Sequence, residues 1–211
     1  MTERGRFITL EGIEGVGKST QTAMLVEWLR SKGVEAVATR EPGGTPVAES
    51  IRGLLKDTAM EGMSAETELL LMFAARAEHA RHLIRPALKA GRWVVCDRFV
   101  DASYAYQGRA RGLGETAVRT LAEWLVQDLE PDITLWLDMP VPDTLERIGL
   151  RGGKDRFESE GAEFFSRVRD GYRECLQRAP ERVRCIAAEG SLDEVQSRCR
   201  EAVGPFLPAT Q

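Results

Sequence analysis

Apolar residues gather in five short runs along the chain: Phe7–Leu10, Val34–Ala38, Trp93–Cys96, Ile133–Leu137 and Val183–Ala187. Each is too short for a helix and most are rich in β-branched or aromatic side chains, which predicts strands. Segments with apolar positions at helical spacing separate them, as with Met24, Leu25, Trp28 and Leu29. Strands alternating with helices predict an α/β fold, a five-stranded parallel sheet covered by helices on both faces. Its crossovers should be right-handed. The longest helical pattern runs from about Ala65 to about Ala90. Ser64 suits its N-cap, Glu66 and Glu68 suit the positive end of its dipole, and Gly91 suits its stop. Pro86 should bend or divide it. Leu69–Ala75, the longest apolar run, is apolar on more than one face. Such a helix is buried, here partly against a second subunit.

No repeat, low-complexity tract or linker interrupts the 211 residues, and one domain is expected. The tail from Gly204 is expected to be loose. A net charge of −4 argues against a broad nucleic-acid interface. No apolar run is long enough for a membrane span, and Met1–Arg6 lacks the apolar core of a secretory signal. Cys96, Cys175, Cys185 and Cys199 show no disulfide or zinc spacing and read as reduced thiols, which predicts a cytoplasmic protein. His79 and His82 lie one helical turn apart with no further ligand in reach, and are expected on a helix surface.

The chemistry is concentrated in a few segments. Residues 12–19, Gly-Ile-Glu-Gly-Val-Gly-Lys-Ser, follow the first strand run and open a helix. In that context G-x-x-x-x-G-K-[ST] is a phosphate-binding loop. Its amides and the helix N-terminus favour anions; Lys18 reaches the β/γ-phosphates and Ser19 binds Mg²⁺. Asp97 and Arg98 follow the third run, at the carboxyl end of a strand where open α/β sheets bind ligands. Asp97 can hold Mg²⁺ or its waters, and Arg98 can fork onto a phosphate. Arg40-Glu-Pro-Gly-Gly-Thr45 shapes a loop at the same edge. Phe73 and Arg76 share a helix face, an aromatic and a donor suited to clamping a base. Arg147, Arg151 and Arg156, with Lys154, bracket a glycine-rich segment from Gly149 to Gly161 that reads as a closing flap. Arginines delivered by closure stabilise charge on a migrating phosphoryl group. A guanine-reading switch is disfavoured, because the chain has no asparagine for an Asn-Lys-x-Asp signature.

Together these motifs resemble the thymidylate kinases. The resemblance rests on Glu11–Thr20, Arg40–Thr45, Phe73-Ala-Ala-Arg76, the block Asp97–Gln107 that ends Ala-Tyr-Gln, Asp132–Asp138 and the arginine-bearing flap. It implies a single nucleoside-monophosphate-kinase domain with a LID at about residues 147–161, using Mg-ATP to phosphorylate dTMP to dTDP as a cytoplasmic homodimer. It implies that Gly12, Glu14, Gly15, Val16, Gly17, Lys18, Ser19 and Thr20 bind ATP, with Mg²⁺ on Ser19 and Asp97. For dTMP it implies Phe73 stacking on the base, Arg76 on its edge and Ser103 and Gln107 close by. Tyr106 lies under the sugar, Arg52 and Arg98 hold the phosphate, Glu41 lies near it and Glu14 near the 3′-hydroxyl. Some members carry an arginine at the position of Gly15; others place catalytic arginines in the LID, which makes Arg151 the first candidate here, ahead of Arg147 and Arg156. Two departures stand out. Phe73 is three residues before Arg76 where the family usually has four, leaving Met72 at the usual position, and Phe99 replaces a more common tyrosine or histidine.

Overall fold

The computed structural model describes residues 4–208 except 152–154, and not the side chain of Arg151. Five parallel strands form one sheet: β1 (Phe7–Glu11), β2 (Ala36–Arg40), β3 (Trp93–Asp97), β4 (Ile133–Asp138) and β5 (Val183–Ala187). Their order is β2-β3-β1-β4-β5. Every residue of β1 and β3 is buried, whereas edge strands β2 and β5 are partly exposed. This is why the inner strands read as continuous apolar runs. The register pairs Leu10 with Asp97 and Asp97 with Arg40, so charged residues line up along the carboxyl edge.

Among the described residues nine α-helices flank the strands: α1 (Lys18–Ser31), α2 (Pro46–Lys56), α3 (Ala65–His79), α4 (Arg85–Lys89), α5 (Val100–Ser103), α6 (Gly114–Leu125), α7 (Val141–Arg151), α8 (Ala162–Arg178) and α9 (Leu192–Val203). The long helix expected over 65–90 is divided. Ser64 caps α3 by accepting from the Thr67 amide, and a π-helical turn over Ala80–Ile84 precedes α4. Pro86 sits in the first turn of α4. Proline offers no N–H and crowds the preceding turn, and the wider turn before α4 accommodates it. A second π-helical stretch, Tyr104–Ala110, follows α5 and packs against α8. The approach is close: a Cβ on Gly171 of α8 would lie 2.6 Å from the Ala105 Cα.

Two expectations are corrected. His79 is fully buried rather than on the surface. The last turn of α3 faces the sheet edge, and the side chain finds two polar partners there. His82 does face solvent, beside Glu78. The tail is not loose as far as it is described: Gly204–Phe206 forms one turn, and Phe206 and Leu207 pack on the main core. No described helix is long and apolar enough to cross a membrane.

Candidate active site

The carboxyl edge of the sheet opens into a cavity of about 380 Å³. Its floor is the loop between β1 and α1. Lys18, the first residue of α1, is buried and donates to the carbonyl oxygens of Gly12 (3.1 Å) and Ile13 (2.8 Å). Burial, with Arg98 nearby, pushes its ammonium down to about 8, while Asp97 and Glu14 act the other way. Ser19 donates to Asp97 Oδ2 at 2.6 Å. Gly15 has φ +80°, and a Cβ there would lie 2.9 Å from the Thr144 carbonyl oxygen and 3.2 Å from Ile148 Cγ1. A side chain at position 15 would therefore collide with α7 as well as strain the backbone.

Arg98 holds the corner after β3 in a left-handed conformation, φ +76°, uncommon for a residue with a side chain. The corner is tied to β1 at two points: Arg98 N donates to Leu10 O (2.9 Å), and Phe99 N donates to Glu11 Oε1 (2.7 Å). The Arg98 guanidinium donates to Glu14 Oε1 (2.6 Å), Gly12 O (3.0 Å), and the hydroxyls of Tyr106 and Tyr172 (3.1 Å each). Tyr106 donates to Glu14 Oε2. Tyr172 donates to Glu11 Oε2 (2.9 Å). Burial, reinforced by Asp101, pushes the Glu11 carboxyl up to about 7.

The opposite wall comes from α3 and the loop after β2. Arg76 is buried and donates to Glu41 Oε2 (2.6 Å), Ser103 Oγ (2.9 Å) and Phe99 O (2.8 Å). Glu41 Oε1 accepts from His79 Nδ1 at 3.0 Å, and His79 Nε2 lies 2.7 Å from Thr39 Oγ1. Arg52 lines the cavity and donates to Pro42 O (2.9 Å). Tyr106, Gln107 and Ser103 line it from the π-helical stretch and the helix before it.

Most of the expected site residues thus converge: Glu14, Gly15, Gly17, Lys18, Ser19, Thr20, Glu41, Arg52, Arg76, Asp97, Arg98, Ser103, Tyr106 and Gln107 all line one cavity. Gly12 and Val16 are buried in the loop beneath. Phe73 does not face the cavity. It is fully buried with Leu69 and Val118, and the Arg76 guanidinium lies 4.6 Å from its ring centre. Met72 lines the cavity in its place. At 3.6 residues per turn, a residue four before Arg76 lies closer to its direction than one three before. Of the flap arginines, Arg147 and Arg156 do not line the cavity. Arg156 is buried, donates to Leu55 O (2.8 Å) and pairs with Glu68 at 2.7 Å. Arg147 is half-buried on α7 and is not part of the lining. The Arg151 side chain and Lys154 lie outside the described residues. Sequence reasoning missed Glu11, Tyr172, His79 and Glu68 as parts of the site's framework. Glu68 reads as a helix-dipole partner, His79 as a surface residue and Glu11 only as the start of the loop motif, and Tyr172 carries no local signal.

A P-loop at the end of the central strand, with arginines and a shaped pocket across the same cavity, defines a nucleotide-binding P-loop protein with room for a second anionic ligand. A thymidylate kinase family model matches residues 10–199. The thymidylate kinase of Alkalilimnicola ehrlichii is 53% identical over 201 residues, covering 95% of this chain and 93% of that one. That of Chromohalobacter salexigens is 55% identical over 195 residues, 92% of each. The crystal structure of the Ehrlichia chaffeensis thymidylate kinase matches with a TM-score of 0.78 at 34% identity, over 95% of this chain and 99% of that one. The chain belongs to the thymidylate kinase family.

Proposed function

We propose that this protein transfers the γ-phosphoryl group of Mg-ATP to the phosphate of dTMP, yielding ADP and dTDP. The observation that carries this reading is the single cavity joining Lys18 and Ser19 to Arg52, Arg76, Arg98 and Gln107. One end suits a triphosphate and the other suits a monophosphate bearing a base. An oxygen of the acceptor phosphate forms the new P–O bond as the bond to the bridging β-oxygen breaks. The acceptor is already anionic, so no strong base is required; alignment and charge neutralisation supply the rate.

Lys18 binds the β/γ-phosphates, leaving the loop carbonyls it now holds. Arg52 and Arg98 hold the acceptor phosphate, with Glu41 beside it and Glu14 near the 3′-hydroxyl. Tyr106 packs under the sugar; Arg76, Ser103 and Gln107 meet the base, with Met72 in the wall where Phe73 was expected. Ser19 and Asp97 place two oxygens 2.6 Å apart in the cavity, a donor set that suits Mg²⁺, which prefers oxygen ligands and keeps several waters. When bound, the cation neutralises phosphate charge. Arg151 and Arg147 belong to α7, which also presses on the loop at Gly15, so they are the arginines assigned to the migrating phosphoryl group. Arg156 docks the flap. The proposed enzyme is cytoplasmic and a homodimer.

The test is ADP release from Mg-ATP with dTMP, dUMP, dCMP, AMP or no acceptor. Fast turnover with dTMP, slower with dUMP and almost none with the others is expected. Equal turnover without acceptor would overturn the acceptor assignment.

A further inference from the structure

Glu68 is fully buried in α3 and does not line the cavity. Its Oε1 accepts from Gln107 Nε2 at 2.9 Å and from Arg111 Nε at 3.3 Å. Its Oε2 accepts from Arg111 Nη2 at 3.2 Å and pairs with Arg156 Nη1 at 2.7 Å. A carboxylate offers acceptors only. It therefore takes the NH₂ end of the Gln107 amide and leaves the carbonyl end. Among the described residues Gln107 Oε1 has no hydrogen-bond partner, and Gln107 lines the cavity.

The neighbouring wall has the opposite polarity. A guanidinium carries five N–H groups, and Arg76 gives one each to Glu41, Ser103 and Phe99. Two N–H groups are left. Arg76 and Gln107 line the same cavity, and an acceptor on one with donors on the other matches a base edge that presents a ring N–H next to a carbonyl, the imide edge of thymine or uracil. Cytosine presents the reverse, a ring nitrogen acceptor next to an amino donor. A glutamine amide with no fixed partner turns over and serves either base; one held by a carboxylate does not.

We propose that Glu68, which touches no substrate, sets the base specificity of the acceptor site by holding the Gln107 amide with its carbonyl toward the cavity. Glu68 is a positioning residue, and the proposal rests on the dTMP kinase reading. In Glu68→Gln the new amide supplies both a donor and an acceptor, so Gln107 is free to turn over. The ratio of kcat/KM for dTMP to that for dCMP should then fall about tenfold or more, as expected when a buried polar group no longer rejects the mismatched edge. A residue that only supported the fold would lower both acceptors together and leave the ratio unchanged. Arg111→Met, which takes one arginine from Glu68 but leaves the Gln107 bond, should keep the wild-type ratio. The wild-type protein gives a check independent of any variant's folding: a dTMP analogue with C–H replacing the imide N–H should lose about tenfold in kcat/KM. A ratio in Glu68→Gln within twofold of wild type, or an analogue as good as dTMP, would overturn the proposal. Absence of dTMP turnover by the wild-type protein would instead overturn the kinase reading on which it stands.

Discussion

Lys18 and Arg98 carry positive charge into a corner largely closed to water, the Arg98 side chain 14% exposed. Both were legible, because a glycine-rich loop and an Asp-Arg pair after a strand leave local signatures. What holds them was not: Glu11 and Tyr172 are far apart in sequence, and their 2.9 Å hydrogen bond exists only once α8 crosses β1. Lys18 yields a prediction with a definite sign. Burial lowers its ammonium to about 8, so the free protein loses this charge as pH rises through about 8. The kcat/KM for ATP, which reports the free enzyme, should fall on that limb. Bound phosphates restore the charged form, so the limb in kcat should lie at higher pH. Lys18→Ala should lose activity by roughly 100-fold or more and lose the limb, as when a preorganised phosphate clamp is removed. A pH-rate profile in both parameters checks this, and a flat kcat/KM from pH 7 to about 9.5 would refute it. The linked effect on stability has the opposite sense. The unfolded lysine keeps its proton to about 10.4, so folding should gain stability between about pH 8 and that value as the buried charge is relieved.

At the scale of elements, the strands were readable to within one or two residues, since burial on both faces imposes continuous apolar runs. The π-helical turns were not, because no composition marks them. They matter, as the stretch Tyr104–Ala110 presents Tyr106 and Gln107 to the cavity. Nor did the spacing of His79 and His82 reveal which one turns inward. His79 clamps α3 to the end of β2 through Thr39 and to the loop after it through Glu41, and Glu41 in turn orients Arg76. His79→Ala leaves a buried carboxylate oxygen and a hydroxyl short of a partner, a loss of about 1–3 kcal/mol. The expected result is a lower Tm and a higher KM for dTMP, with KM for ATP nearly unchanged, measured by thermal melting and steady-state kinetics. An equal rise in both KM values would show that His79 supports the whole fold rather than the acceptor loop.

At the scale of the molecule, strand order and the docking of the tail came only with the structure, because they depend on which apolar faces meet. Of the large apolar side chains left exposed, two belong to helices that pack on each other. Leu70 on α3 is 58% exposed and Trp124 on α6 is 71% exposed. The two helices pack on each other through Leu69, Phe73 and Val118, so these outward side chains lie on one helical layer. Large apolar side chains exposed on one helical layer mark association surfaces. The same α3 carries Met72 and Arg76 into the cavity on its other side, and the proposed homodimer would therefore brace the wall that meets the acceptor. A carboxylate at each position should be rejected by an apolar interface, because burying an unpaired charge costs far more than the contact returns. Leu70→Glu with Trp124→Glu is thus expected to convert a dimer of the wild-type protein into a monomer in sedimentation at micromolar concentration. The monomer should bind ATP as before while its KM for dTMP rises. A wild-type protein that sediments as a monomer, or a double variant that stays dimeric, would move the interface elsewhere or remove it.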